Sequence, residues 1–403
     1  MTLTRTGRRL ALAGTALVLA AGSAGAAVTS AAAATTHAAA SSSCTGQKAT
    51  GPFRINPDNH SQVIGAANKP FISYGISVPG LVDPNWEATQ GRDPDKIKAT
   101  AENWCGNTVR LQISQYNLLG PSGTSFSQKY LAAVESEVSL AEHYHLVVVL
   151  NDSTESPPGS VKSGLLGPTT MTETFWKDMT KVYGRNPQVI FDLFNEPRIP
   201  LGDSVSQDWQ QWRNGVSPYL GMENLARYVR AQGAQNVYWA QGPAYSISFQ
   251  GMERSGGLLT GVGPVVYAVH HPSGLYIRLY RPEYKLFWFL DFGYLVNLHI
   301  APVVEGEWTN YEPHPTSNVK PIPTSCWPDA PEAIVDYLAY LHAHGVGMSA
   351  YQLQPGLLIK SYPHYAVPTT INAATWSCES ATESQPGQGA GTLIMNWFRK
   401  YNG

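Results

Sequence analysis

Two segments of this sequence place a carboxylate at the end of an apolar run. Val189-Ile-Phe-Asp-Leu-Phe-Asn-Glu-Pro-Arg198 carries Glu196, and Ala301-Pro-Val-Val-Glu-Gly-Glu-Trp308 carries Glu307. Brought together, two such groups can divide labour. A protonated carboxyl donates to a leaving oxygen while an ionised one attacks. That division requires environments that push their pKa values apart. Candidate partners stand nearby in kind: Asn195 beside Glu196, Arg110 in Asn107-Thr-Val-Arg110, and His270 closing Val266-Tyr-Ala-Val-His270. His271 follows at once and competes for the inward position. Glu305 lies two residues before Glu307, so on a regular strand both project to one side. A Glu305 inside the fold needs a partner or a proton, and it competes with Glu307 for the role of nucleophile.

Residues so far apart need a scaffold. The strand candidates are Phe71–Ser77, Thr108–Ile113, Leu146–Leu150, Val189–Phe194, Asn236–Ala240, Val265–Val269, Ala301–Val304 and Gly347–Leu353. Several are near-continuous apolar runs, as parallel strands covered by helices require. Between them Leu131, Val134, Val138 and Ala141 recur at helical spacing, as do Phe175, Met179 and Val182, then Ile334, Leu338 and Leu341. Eight strands with intervening helices predict an α/β chain folded as a (β/α)8 TIM barrel. A doubly wound open sheet is disfavoured, because no Gly-rich phosphate turn follows the first strand. In a barrel the chemistry is expected at the C-terminal strand ends. Adjacent Asn195 and Glu196 can both serve a site there only if the strand becomes irregular at the rim, where Pro197 helps to end it.

Asn195-Glu196-Pro197 after the fourth apolar strand, with Gly306-Glu307-Trp308 at the end of the seventh, resembles glycoside hydrolase family 5, the cellulase family. The resemblance runs through the whole chain after its N-terminal segment. It implies a retaining β-glycoside hydrolase with Glu196 as acid/base and Glu307 as nucleophile. Retention needs the two carboxyl groups about 5–5.5 Å apart. The same resemblance assigns Asn195 to the sugar 2-hydroxyl, Arg110 to holding Glu307 ionised, and His270 to the cleft wall.

Three positions depart from the family pattern. Where a histidine usually ends strand three, this sequence has Asn151 or Asp152. The tyrosine expected two residues after the strand-six histidine is Pro272, with Tyr276 on the next loop as a substitute. The tryptophan platform of strand eight is Tyr351, a smaller ring. All three surround the sugar to be cleaved, so hydrolysis is better supported than cellulose as the substrate. Mannan, galactan, xyloglucan-type and conjugated glycosides are open alternatives. Trp308, Trp239 and Trp104 are candidate stacking rings, with Trp308 the best placed. The expected substrate-binding set is thus Arg110, Asn195, His270, Trp308, Tyr351 and Asp152.

The chain has 403 residues, of which 43% are hydrophobic and only 14% charged, which excludes a charge-driven disordered chain. The net charge is −2 with no basic block, so nucleic acid and anionic membranes are poor partners. Arg5, Arg8 and Arg9 precede the apolar run Leu10–Ala21 and then small residues, which reads as an export signal over 1–34, with an uncleaved membrane anchor as the alternative. An Ala/Ser/Thr spacer covers 35–43, and 44–403 is expected to be one catalytic domain, secreted, monomeric and without a tethered binding module.

Four cysteines in an exported chain suggest two disulfides, and three pairings are possible. Cys44–Cys105 and Cys326–Cys378 are favoured, because the pairs sit near opposite ends of the chain. The stretch Leu275–Tyr294 holds eight aromatics, but Arg278, Arg281, Glu283, Lys285 and Asp291 argue for a helix packed on the barrel.

No cofactor is implied. A metal site is disfavoured, since His143 and His145 precede strand three at the wrong end of the barrel and no His-Glu-x-x-His occurs. Two further readings of the fold are a catalytically silent carbohydrate-binding barrel and a transglycosylase. A binding barrel has no need of a matched glutamate pair. A transglycosylase shares the covalent intermediate and differs only in its acceptor.

Overall fold

Eight largely buried runs, six of them carrying Val, Ile or Leu, form eight parallel strands: β1 (Tyr74–Val78), β2 (Thr108–Ile113), β3 (Val147–Asp152), β4 (Val189–Asp192), β5 (Tyr238–Gln241), β6 (Val265–Val269), β7 (Val303–Trp308) and β8 (Gly347–Ala350). They pair in chain order, and β8 returns to β1 to close the barrel. The computed structural model describes residues 44, 48–153, 166–199, 202, 204–271, 284–308, 330–371, 381–382, 385–386 and 389–403. The expected signal, the spacer, Pro272, Tyr276, Cys326 and Cys378 lie outside them. Cys44–Cys105 is closed and ties the start of the described chain to the turn before β2.

Helices cover the barrel. They include α1 (Asp93–Glu102), α2 (Gln128–His143), α3 (Thr170–Tyr183), α4 (Met222–Ala231), α5 (Ala330–Ala343) and α6 (Gly391–Asn402). The expected helical stripes are buried, except Val182, which faces solvent. Before β7 the aromatic stretch is helical where described, with a π turn at Phe289–Gly293 and Trp288 packed inward. Between β5 and β6 the connection holds a 3-10 turn, Ala244–Ser246.

Alternation along the strands divides the core. Val109, Leu111, Val148, Leu150 and Phe191 pack under the helices, while Val147, Val149, Ile190, Trp239, Val266, Ala268 and Val304 fill the barrel. Phe53, leading into the antiparallel pair Arg54–Asn56 and Asn59–Ile64, joins this inner cluster and seals its lower end. Going up each strand, the inward positions turn from apolar to polar: Val149 gives way to Asn151, Ile190 to Asp192 and Trp239 to Gln241.

Two strand ends differ from expectation in a way that matters. The fourth strand leaves the sheet after Asp192, two residues early. The seventh runs on to Trp308 and so contains both of its glutamates, with a break in register between Glu305 and Trp308.

Candidate active site

Arg110 is the centre of the arrangement. It is an inward residue of β2, fully buried, and each guanidinium nitrogen has its own acceptor. Nε donates to Asp192 Oδ2 at 2.9 Å, Nη1 to Glu307 Oε2 at 2.6 Å, and Nη2 to Asn195 Oδ1 at 2.6 Å. Gln112, two residues along the same face, donates to the same Glu307 oxygen at 2.9 Å. A planar donor fork suits this task, because it fixes orientation as well as charge. Gln241 braces the other side. Its Nε2 donates to both oxygens of Asp192 at 3.0 Å, and its Oε1 accepts from the Glu196 backbone N–H at 2.7 Å.

The irregular rim expected beside Pro197 is present. Asn195 N–H donates to the Asp152 carbonyl at 2.9 Å, and Glu196 adopts a left-handed φ of 46°. That turn lets neighbours face one site: Asn195 meets Arg110, and Glu196 Oε1 meets His270 Nδ1 at 2.9 Å. His270, not His271, therefore faces the barrel mouth. Gly306 makes room for it, since a Cβ there would lie 3.0 Å from His270 Nε2.

Burial pushes the Glu196 carboxyl above the usual carboxylate range, against the opposing pull of Arg110 and Arg198. Burial also pushes the His270 imidazole down, to about 4. The contact has ion-pair distance, but at neutral pH it is a hydrogen bond of a neutral imidazole. Asp192 is lifted by burial too, with Arg110 working against the lift. Above this sealed floor the two glutamates stay partly open, Glu196 by 25% and Glu307 by 21% of their side chains.

Glu305 does not share the site. The break in β7 separates it from Glu307, so the two do not project together. Glu305 turns to the helix layer, fully buried, where Oε2 accepts from the Tyr337 hydroxyl of α5 and Oε1 from the His271 backbone N–H at 3.1 Å. A bulge of this kind re-aims a side chain, and a two-residue count through it fails.

Two other expected contacts are corrected. Trp308 is 3% exposed and packs on Tyr337, 6.0 Å between rings, within the outer core. Trp104 and Trp239 are core residues as well. Asp152 has the outward parity of Leu150, and its charge bears on Tyr116 and Tyr130. Asn151 holds the inward position opposite Gln112. Tyr351 is half-buried just past β8, its N–H bonded to the Trp308 carbonyl at 2.8 Å.

Sequence reading missed Gln112, Asp192, Gln241 and Tyr245. Gln112 was readable as Arg110 plus two, and Asp192 as Ile190 plus two. Tyr245 sits in a run of left-handed residues, Ala244, Tyr245 and Ser246, that no glycine announces. The residue is 49% exposed beside Arg198, its ring 5.3 Å from the guanidinium, and its N–H reaches the Pro197 carbonyl at 3.2 Å.

Comparisons with known proteins identify the fold and the family. A solved β-glucanase, SdGluc5_26A from Saccharophagus degradans, superposes with a TM-score of 0.59 at 17% identity, covering 91% of this chain and 98% of that one. The catalytic domain of a mannanase from Streptomyces sp. SirexAA-E gives 0.51 at 15% identity, covering 89% and 96%. At such identity these establish the fold. In sequence, Endoglucanase A of Butyrivibrio fibrisolvens is 24% identical over 164 residues, 40% of this chain and 35% of that protein. The manganese dependent endoglucanase Eg5A of Phanerodontia chrysosporium is 27% identical over 165 residues, 40% and 37%. The chain thus spans little more than a third of the length of these relatives. The family model described as Cellulase (glycosyl hydrolase family 5) matches residues 64–276, which include Arg110, Asn195, Glu196 and His270 and stop short of Glu307. That match takes in more than half of the sequence, and the chain belongs to glycosyl hydrolase family 5, the cellulase family.

Proposed function

We propose that the chain is a retaining β-glycoside hydrolase that cleaves β-linked polysaccharide by double displacement, with Glu196 as acid/base and Glu307 as nucleophile. One observation carries this reading: Glu196 and Glu307 stay partly open above a buried floor of Arg110, Asp192 and Gln241. Both bonds to Glu307 fall on Oε2, which leaves Oε1 as the attacking oxygen. Arg110 and Gln112 fix the orientation of the Glu307 carboxyl through those bonds. Glu196, lifted by burial, carries the proton for the leaving oxygen and then draws a proton from water to release the glycosyl enzyme. Asn195 has its Oδ1 engaged by Arg110, so its amide N–H groups are the donors offered to the sugar.

The relatives named as endoglucanases and the neighbours named as a β-glucanase and a mannanase support a glucan or mannan substrate. The basic and apolar N-terminal segment supports export. Hydrolysis of a panel of β-glucans, mannans and galactans by the native protein, with NMR of the first-formed anomer, tests the reading. Retention is expected, and Glu307→Gln should lose about 10³-fold or more in kcat. An inverted product, or full activity of Glu307→Gln, overturns it.

A further inference from the structure

The ladder between β6 and β7 stops where the site begins. Tyr267 N–H donates to the Pro302 carbonyl at 2.9 Å, and pairing continues through Val269 opposite Glu305. The two-residue repeat of a parallel ladder would send the His271 N–H to a β7 carbonyl. The break in β7 lies at that level. His271 N–H donates instead to Glu305 Oε1 at 3.1 Å, and the Tyr337 hydroxyl holds the other oxygen. His271 is further fixed by its ring, with Nε2 3.1 Å from Asp291 Oδ2 and the imidazole stacked on Tyr337. A buried carboxyl thus fills the gap that the bulge opens, and an unfilled gap would strand a buried donor. The peptide so held joins His271 to His270, whose Nδ1 contacts Glu196.

We infer that Glu305 is a positioning residue for the acid/base: by closing the β6–β7 ladder at its break, it holds the His270–His271 peptide and so keeps the His270 imidazole against Glu196. The inference rests on the proposed role of Glu196. It also explains an acid sealed in the outer core, where an apolar residue would pack at less cost. Burial lifts the Glu305 carboxyl well above its ordinary range, against the pull of the Tyr337 and His271 bonds. Glu305→Gln keeps shape and an acceptor for His271. Glu305→Leu keeps bulk and loses the acceptor.

The test compares aryl β-cellobiosides or β-mannobiosides, whichever the wild type hydrolyses, carrying phenyl and 2,4-dinitrophenyl leaving groups. Phenolate needs the proton from Glu196, whereas dinitrophenolate departs without it. Glu305→Leu should lose about tenfold or more in kcat/KM, which reports glycosylation alone, on the phenyl glycoside. On the dinitrophenyl glycoside it should change by less than about threefold, with Glu305→Gln close to wild type on both. Tyr337→Phe, a milder change, should shift the same ratio in the same direction and serves if Glu305→Leu does not fold. Equal losses on both substrates, or a Gln variant as damaged as Leu, would mark a merely structural role and overturn the inference. So would an unchanged ratio in both Glu305→Leu and Tyr337→Phe. Full activity of Glu307→Gln on the same substrates overturns the two-glutamate reading instead, and this inference with it.

Discussion

Nη1 of Arg110 stands 2.6 Å from Oε2 of Glu307, while Nε of the same guanidinium stands 2.9 Å from Asp192. One buried cation therefore serves a carboxylate that is exposed to the mouth and another that is sealed beneath it. A third arm reaches Asn195. The three acceptors lie in three directions that only a planar fork can meet at once.

Arg110→Lys should consequently be far from conservative. A single ammonium keeps the charge but leaves at least one acceptor unmatched. We predict a fall in kcat/KM of about 10²-fold or more, because Glu307 loses its orientation. Breaking the buried pair with Asp192 should cost about 3 kcal/mol in urea unfolding. A Lys variant within threefold of wild type would contradict the central role of the guanidinium.

The pH profile of kcat/KM should fall on its alkaline side as Glu196 loses its proton. Folding raises the pKa of this group, so the active protonated form persists above the ordinary carboxylate range and is lost as pH rises through the folded value. Arg198 pulls that value down. Arg198→Ala should move the alkaline limb to higher pH, and a limb that stays in place or moves down would contradict the assignment. His270, pushed down to about 4, should contribute no limb near its ordinary value.

Gly306→Ala tests the space kept for the imidazole. The new methyl would stand 3.0 Å from both Ala268 Cβ and His270 Nε2. We expect about a tenfold loss in kcat, with stability lowered by about 1 kcal/mol. Unchanged kinetics would mean that the imidazole yields without consequence for Glu196.

A second buried acid pair lies away from the site. Asp93, at the start of α1, and Glu137, on α2, share one nearby ammonium, Lys96, 3.3 Å from Asp93. Burial raises both carboxyls, Asp93 from 3.8 to about 6. A raised folded pKa contributes stability that is fully present below the unfolded value and is lost as pH rises through the folded one. Glu137→Gln should therefore lessen the fall in Tm between about pH 4 and 7, by about 2 °C or more. An identical slope in both proteins would show that the pair does not titrate in this window.

Type and order of the eight strands were legible because a parallel strand buried on both faces must be an apolar run. Val265–Val269 and Thr108–Ile113 match their observed bounds for this reason. The glutamate pair was legible too, since each member sits in a local motif at a strand end. Arg110 was legible through the family resemblance, which placed it beside Glu307. What the sequence left undetermined lies where regularity fails. The break between Glu305 and Trp308 decides that Glu307 enters the barrel mouth while Glu305 and Trp308 turn to the helices, although Glu305 and Glu307 are two apart. The left-handed turn at Glu196 brings Asn195 and Glu196 to one side, and the run at Ala244–Ser246 exposes Tyr245. These depend on bonds from distant segments, Gln241 to Glu196, Tyr337 to Glu305 and Ser246 to His270, which no local pattern encodes. The sequence by itself determined which residues could do the chemistry, and tertiary contacts at irregular strand ends decided which of them face it.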